Sequence, residues 1–315
     1  MVIKKRSHLL IGIALISALL IGTFSFSLVS AHQHSGPRTW NAVVGIESPD
    51  QAVQGMSFLP TQLWVNVGDT TTWTFKSGEP HTVTFLPPGE QLPRFNPTDP
   101  SQAKQQGGTN YDGVSYYNSG LMSSSSASGH PGTYSLTFEK SGDFIYHCLL
   151  HPSMLGIVHV QPAGTNYPFT QEDYNRQIQN QTKSALEDGE SLADEAAKMS
   201  NDHHVVVGIG DDLDMLVRFY PQKITIHVGE TIMFMNHDPM APHTVTFGPE
   251  QPDLSKPYGN PQAYDGTSPL NSGYLGMDFP QGASFSVKFV KAGTFPFDCA
   301  LHDQLGMKGI VTVLP

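Results

Sequence analysis

The sequence has little cysteine, little charge and few basic side chains. It contains 2 cysteines in 315 residues, and charged residues make up 14% of the chain. Lysine and arginine number 17 against 28 aspartates and glutamates, which gives a formal charge of −11. Such an acidic chain is a poor match for nucleic acid and a better match for a protein partner with a basic docking surface.

Regular helical periodicity and the common catalytic motifs are also scarce. With 30 glycines, 24 prolines and an apolar fraction of 38%, the composition favours many short strands joined by turns over helical bundles. The sequence has no P-loop and no serine nucleophile elbow, and Gly208-Ile-Gly210 lacks the third glycine of a dinucleotide-binding fingerprint. The length is enough for about two domains.

The N-terminus has the features of an export signal. Three basic residues at positions 4–6 precede an apolar run over 9–29, and Ser30-Ala31 provides the small residues that a signal peptidase prefers. Residues 1–31 are therefore predicted to be a signal peptide, and an apolar run of this length could instead remain as a membrane anchor. In both cases we expect the body of the protein outside the cytoplasm. It would be free in a periplasmic or extracellular space, or anchored to the outer face of the cytoplasmic membrane.

Most of the remaining chain consists of one unit present twice. Residues 58–70 match 219–231, and the same motifs follow in each copy: His-Thr-Val-Thr-Phe, Tyr-Asp-Gly, Asn-Ser-Gly and a last segment that runs into cysteine. We therefore predict two duplicated domains, 38–162 and 203–315. Apolar and polar residues alternate in both copies, as over 63–67, which predicts half-buried strands. The expected fold is all-β, with two tandem Greek-key β-sandwich domains.

The connection between the two units has a different composition. Residues 163–202 are rich in Gln, Asn, Glu, Asp, Lys and Ala, and Tyr174 and Leu186 are spaced as on one helical face. We predict a partly helical linker with a break at Asp188-Gly189. It acts either as a solvated connector without chemistry or as a spacer that fixes the distance between two functional sites.

The two cysteines stand at the same place in the two units, each followed closely by a histidine and a methionine. A further histidine lies upstream in a shared Pro-His-Thr-Val-Thr-Phe context. A thiolate, two imidazoles and a thioether form a soft ligand set that suits copper, and this is the ligand composition of a blue-copper electron-transfer site. The candidate ligands are His81, Cys148, His151 and Met154 in the first unit and His243, Cys299, His302 and Met307 in the second.

Each of these residues also has a purely structural interpretation. Two cysteines in an exported chain would ordinarily be assigned to one disulfide. Here a bridge would have to join equivalent loops of separate domains, so the repeat argues against it. The methionines could fill gaps in the core, and His81 and His243 could be polar residues at strand ends. Their matching contexts in both copies favour ligation.

The motifs resemble those of cupredoxins, the type 1 or blue copper family. The resemblance covers 38–162 and 203–315; the Cys-x-x-His-x-x-Met spacing of the first unit is similar to amicyanin, and the longer Cys-x-x-His-x-x-x-x-Met spacing of the second is similar to plastocyanin. It implies a trigonal set of two His and one Cys in each unit, with Met as a weak axial ligand. It thereby implies two type 1 copper sites, one per domain, in an electron carrier that works with redox partner proteins. The family often has Asn after the upstream histidine, where this chain has Thr82 or Thr244. This departure leaves open how the cysteine loops are supported.

Two other functions compete with an electron carrier. His147 directly precedes Cys148, an arrangement that resembles the adjoining ligands of copper nitrite reductases and multicopper oxidases, where the extra histidine binds a second type of copper. Those enzymes also need further imidazoles, at places where this chain has Leu86 and Gly248, so we do not expect catalysis and predict His147 to be a strand residue. The other alternative is a copper-binding or storage protein, for which many exposed Met or His clusters would be expected.

Overall fold

The computed structural model describes residues 36–124 and 132–315. The predicted signal peptide or anchor at 1–31 lies outside the described residues. The first ten described strands are β1 Thr39–Glu47, β2 Val53–Leu59, β3 Gln62–Asn66, β4 Thr70–Phe75, β5 Thr84–Phe85, β6 Asn110–Tyr111, β7 Tyr117–Asn118, β8 Thr133–Phe138, β9 Gly142–His147 and β10 Leu155–Gln161. The next nine are β11 His204–Gly210, β12 Asp214–Tyr220, β13 Lys223–His227, β14 Thr231–His237, β15 Thr246–Phe247, β16 Leu270–Asn271, β17 Ser284–Lys288, β18 Gly293–Asp298 and β19 Lys308–Leu314. The helices are α1 Pro100–Ala103, α2 Gln171–Met199 and a 3-10 turn at Asp303–Leu305.

The strands form three sheets arranged as two sandwiches. One nine-stranded sheet has the order β17-β14-β11-β12-β2-β1-β4-β8-β6, and it contains strands from both halves of the chain. Two five-stranded sheets, β3-β10-β9-β5-β7 and β13-β19-β18-β15-β16, each belong to one half. We call β1–β10 the first domain and β11–β19 the second domain. The predicted all-β fold with two tandem sandwich domains is confirmed.

Alternating burial along the strands produces the core of each sandwich. In β4 the side chains of Trp73 and Phe75 are buried while their neighbours are partly exposed, as expected for a strand with one face on the core. The Trp73 ring packs against Phe85 and Tyr146 of the five-stranded sheet, at centroid distances of 6.1 and 5.3 Å. These aromatic contacts join the two layers close to Cys148, which follows Tyr146 by two residues.

The two domains join through β2 and β12. These strands pair antiparallel, with Gln54 opposite Met215 and Val53 opposite Leu216. Position 54 of the first repeat corresponds to position 215 of the second, so the pairing is nearly symmetric about this point. The junction therefore resembles the two-fold interface of a dimer, in which the same surface of each partner meets the other.

Helix α2 lies across this junction. Its first turn carries a capping box, in which the Thr170 hydroxyl accepts from the N–H of Asp173 and the Asp173 carboxylate accepts from the N–H of Thr170. Further along, Leu192 and Ala196 belong to a buried apolar cluster with residues of β2, β11 and β12. The connector thus packs on both domains. Among the described residues, no helix combines the length and the apolar character needed to span a membrane.

The predicted break at Asp188-Gly189 is wrong. Helix α2 continues through 29 residues without interruption. Gly189 is buried, and a Cβ atom at this position would lie 2.3 Å from Cγ1 of Val53. The glycine therefore allows the helix to approach β2 closely. Glycine is used here for close packing and not for a turn.

Candidate metal centres

The first candidate site lies at one end of the first domain. Cys148 directly follows β9, His151 comes three residues later, and His81 approaches from the segment before β5. The Sγ atom of Cys148 lies 3.4 Å from Nδ1 of His151 and 3.9 Å from Nδ1 of His81, and the two Nδ1 atoms are 3.1 Å apart. All three side chains are buried. A thiol and two imidazoles therefore point at one common position.

The second domain repeats this arrangement. The Sγ atom of Cys299 lies 3.3 Å from Nδ1 of His302 and 3.8 Å from Nδ1 of His243, and the two Nδ1 atoms are again 3.1 Å apart. Both thiols of the chain are free and buried. In the part of the chain that the structure describes, these two His-Cys-His groups are the ones that could hold a metal ion.

The outer ring nitrogens of the upstream histidines face hydrogen-bond acceptors. Nε2 of His81 lies 2.8 Å from Oγ of Ser77, and this hydroxyl donates its own proton to the Glu79 carbonyl. Nε2 of His243 lies 3.3 Å from Oδ2 of Asp238. Because each Nε2–H donates outward, the Nδ1 lone pair is free on the side of the thiolate. The residues present thus fit a copper ion bound through sulfur and two Nδ1 atoms.

Both cysteines favour the ionised form that binds metal. Burial raises the pKa of Cys148, but the charge and hydrogen bond of His151, followed by those of His81, bring it well below its usual value. Burial likewise raises the pKa of Cys299, and His302 and His243 bring it well below its usual value. The lowered pKa favours the thiolate, which is the metal-binding form of cysteine.

Threonine supports the cysteine loops where the family often has Asn. Oγ1 of Thr82 accepts from the N–H of Leu149 at 2.9 Å, and the N–H of Thr82 points to Sγ of Cys148 at 3.4 Å. The same two contacts around Thr244 measure 2.8 and 3.3 Å. The hydrogen bonding that the sequence left open is therefore present in both domains.

The Asn-Ser-Gly motifs anchor the segment that runs from the upstream histidine into the next strand. Oγ of Ser119 accepts from the N–H of Val83 at 2.8 Å, and Oδ1 of Asn118 accepts from the Thr84 hydroxyl at 3.0 Å. The second domain has both bonds at the equivalent positions. In the sequence these motifs are part of the repeat and have no assigned role. Their recurrence at the same place in both repeats is the sequence feature that could have indicated a structural role next to the metal site.

The methionines and His147 occupy different surroundings. Met154 and Met307 are buried at the ends of the cysteine loops. The N–H of the cysteine donates to the methionine carbonyl in each loop, at 3.0 Å in the first domain and 3.1 Å in the second, which keeps the two residues adjacent. His147 is the last residue of β9, as expected for a strand residue, and it lies outside both donor groups.

One carboxylate that sequence analysis did not single out lies between the two sites. Oε2 of Glu79 is 3.3 Å from Nε2 of His302, and Oε1 is 3.8 Å from Nε2 of His151. Burial would raise the pKa of Glu79, but the hydrogen bond and charge of His302, followed by the charges of His151 and His81, lower it to about 2. Since Glu79 contacts a histidine of each set, the two sites face each other across the domain junction.

Two β-sandwiches, each holding a thiolate and two imidazoles at one end, define a protein with two sites for a soft metal ion. A sequence model of copper-binding proteins of the plastocyanin/azurin family matches the chain twice, over residues 47–161 and 203–314. The chain therefore belongs to this copper-binding family, and it has two His-Cys-His sites, one per domain.

Individual relatives match this chain over about the length of one domain. The plastocyanin of Scenedesmus fuscus is 36% identical over 110 residues, which cover 35% of this chain and 98% of that protein. The amicyanin of Paracoccus denitrificans is 30% identical over 106 residues, which cover 34% of this chain and 60% of that protein. A solved structure of a mutant fern plastocyanin shares 26% identity with a TM-score of 0.25, covering 35% of this chain and 99% of its own. The resemblance to both kinds of cupredoxin is confirmed.

Proposed function

We propose that the protein is an exported electron carrier with one type 1 copper site in each domain. The observation that carries the proposal is the convergence of a thiolate and two Nδ1 atoms in both domains, at nearly the same distances. The proposed ligands are His81, Cys148 and His151 in domain 38–162 and His243, Cys299 and His302 in domain 203–315, with Met154 and Met307 as weak axial ligands.

Copper bound in such a set supplies a one-electron couple between Cu(I) and Cu(II). The contribution of the chain is to keep the donor atoms still. The sheets hold the strands that carry the ligands, Thr82 and Thr244 hold the cysteine loops, and Ser77 and Asp238 hold the upstream rings. Since the donors need not move when the charge on the ion changes, little reorganisation opposes electron exchange.

A carrier fits the site better than an oxidoreductase or a storage protein. A nitrite reductase or multicopper oxidase requires a further copper centre of another type, whereas both donor groups in the described residues are of one kind. A storage protein would need exposed clusters, and these two groups are buried. The plastocyanin and amicyanin among the relatives support the same choice. Export would follow from residues 1–31, and the acidic balance suits a redox partner with a basic docking surface.

Replacing one cysteine at a time tests the two sites. Cys148→Ser and Cys299→Ser should each keep about half of the intense thiolate-to-copper absorption, and the double variant should have none, because each colour depends on one thiolate. The paramagnetic-resonance spectrum of the copper-loaded protein should show type 1 copper alone. Complete loss of colour in either single variant would mean one shared site. A type 2 signal with steady turnover of nitrite or oxygen would favour an enzyme.

The dependence on salt tests the proposed partner surface. Electron exchange with a small basic redox protein should slow as the ionic strength rises to about 0.1 M, where charges more than about 10 Å apart are largely screened. A salt-independent rate would contradict a basic docking partner and would leave the copper assignment intact.

A further inference from the structure

In both domains the second histidine of the set is buried, and that of the second domain contacts Glu79 of the first. The exposed fraction is 1% for His151 and 4% for His302. At the same place the domains are in close contact, since a Cβ atom on Gly78 would lie 2.4 Å from Cδ2 of Leu305. Neither imidazole therefore offers an exposed edge to a docking protein, and each points towards the other site instead.

Glu79 lies between these two rings and is fixed to the domain junction. The hydroxyl of Ser77 donates to its carbonyl at 3.1 Å, and its own N–H donates to Oε1 of Gln54 at 3.2 Å. Gln54 stands at the centre of the pairing between β2 and β12. With this backbone held, the carboxylate presents one oxygen to His302 and the other to His151.

The second domain has no equivalent of this carboxylate. Ala241 stands two residues before His243, where Glu79 stands two residues before His81. At a nearly two-fold junction, two equivalent buried carboxylates would repel each other at short range. A single carboxylate has two oxygens, and here one is within hydrogen-bond distance of His302 at 3.3 Å while the other lies 3.8 Å from His151. The presence of a carboxylate in only one of the two repeats therefore indicates that Glu79 acts between the domains and not within one of them.

We propose that Glu79 is a positioning residue that holds the imidazoles of His151 and His302 against one carboxylate, so that the two metal sites exchange an electron with each other inside the molecule. The inference rests on the proposed function. In each exchange one site goes from Cu(I) to Cu(II) while the other goes from Cu(II) to Cu(I), and no proton or further reactant is required. The two domains then work as a relay, in which an electron that reaches one site passes to the other through the junction.

Zinc, which has no redox chemistry, tests the positioning by itself. In the zinc-loaded protein, the Nε2 proton of His302 is expected to give a protected nitrogen–proton resonance, because it donates to a buried carboxylate. Glu79→Leu cannot accept this proton, and exchange with solvent should become about tenfold faster or more. Equal protection in wild type and variant would overturn the assigned contact.

The electron exchange itself is measured after photoreduction of about half the copper. Spectra of the single-site Cys148→Ser and Cys299→Ser proteins identify the signal of each site, and the redistribution between sites is then followed in the two-site protein. Glu79→Leu should slow the redistribution by about tenfold or more, since loss of the partner of a metal-bound histidine typically costs about 10- to 100-fold in metal affinity or activity. Glu79→Gln should slow it less, because the amide keeps one acceptor oxygen and only its other position becomes an NH2 group that cannot accept.

The control is Glu187→Gln, which removes the same charge from an exposed position on α2 that pairs with Lys183. It should leave the redistribution unchanged. If Glu79→Leu fails to fold or to load copper, the Gln variant decides, and wild-type redistribution in Glu79→Gln would overturn the inference. Absence of thiolate-to-copper absorption from either single-site protein would instead overturn the proposed function on which it rests.

Discussion

The buried carboxyl group of Asp214 should make the stability of the domain junction depend on pH. The residue begins β12 opposite Gly55 and is 2% exposed, and its Oδ1 atom has no hydrogen-bond partner among the described residues. Burial, followed by the charges of Asp211 and Asp188, raises its pKa from 3.8 to about 7. Between these two pKa values the folded protein keeps a proton that the unfolded chain has lost. The free energy of unfolding therefore falls as the pH rises from about 4 to about 7.

The size of this effect follows from the shift. One pKa unit corresponds to about 1.4 kcal/mol, so the whole shift sets an upper limit of about 4 kcal/mol, and local relaxation with water entry should reduce it to about 2 kcal/mol. Asp214→Asn keeps the shape and removes the charge. We expect it to raise the free energy of unfolding by about 2 kcal/mol at pH 8 relative to wild type, and by much less at pH 5.

Denaturant unfolding of the metal-free protein at the two pH values measures this difference. Asp212→Asn removes an exposed carboxylate two residues away and serves as the control, for which the change should be small at both pH values. If Asp214→Asn has the same effect at pH 5 and pH 8, the reasoning is refuted, because the stability cost would then not come from ionisation.

Two further changes test the loop support and the helix contact. Thr82→Val leaves the N–H of Leu149 without its acceptor, which should cost about 1–3 kcal/mol at the first site; copper affinity measured in the Cys299→Ser protein should fall, and an unchanged affinity would contradict the assigned support. Gly189→Ala places a methyl group against Val53, and this overpacking should destabilise the protein by about 1–3 kcal/mol in thermal or denaturant unfolding. Adding Val53→Ala to Gly189→Ala should recover part of the loss, and a double variant no more stable than Gly189→Ala alone would contradict the steric explanation.

Most of the fold and the donor atoms could be predicted because the information is local and occurs twice. The Cys148 loop contains two of its donors within four positions, so they are neighbours in any compact structure. The upstream His81 is recognisable through the matching segment around His243. The structure brings these donors together as the repeat suggested. The metal-ligand roles, and with them that of Met154, stay predictions.

The remaining features depend on surfaces that the sequence pattern does not identify. Glu79 precedes Pro-His-Thr-Val-Thr-Phe, but a charged side chain is normally exposed, whereas this one is buried and contacts His302 of the other domain. The sequence predicts a helix break at Gly189 because glycine is usually a turn residue, whereas the glycine contacts Val53, which is distant in sequence. Ser77 lies four residues before His81, whereas Asp238 lies five residues before His243. Because these spacings differ, comparison of the two repeats does not show that the two residues have the same role.

The two sites differ in the group behind the upstream imidazole, and this predicts an order of reduction potentials. Nε2 of His81 faces the neutral hydroxyl of Ser77, whereas Nε2 of His243 faces the carboxylate of Asp238. A carboxylate behind a ligand histidine makes the ring a stronger donor, which favours Cu(II) over Cu(I). The second site should therefore have the lower potential, and an electron shared between the sites should reside mainly on the first.

Oδ1 of Asp238 accepts hydrogen bonds from the backbone N–H groups of Met240 and Ala241. Asp238→Asn removes the charge of the carboxylate while the amide oxygen can still accept these two hydrogen bonds. If the charge favours Cu(II) about tenfold, the potential of the second site should rise by about 60 mV, the value of a tenfold change for one electron. Redox titration of the single-site Cys148→Ser protein measures it, and Asp253→Asn, an exposed change in the same domain, should have little effect. The reasoning would be contradicted if Asp238→Asn left the reduction potential of the second site unchanged. It would also be contradicted if the first site had the lower reduction potential in the wild-type protein. In either case the acceptor behind His243 would not control the charge state of the copper.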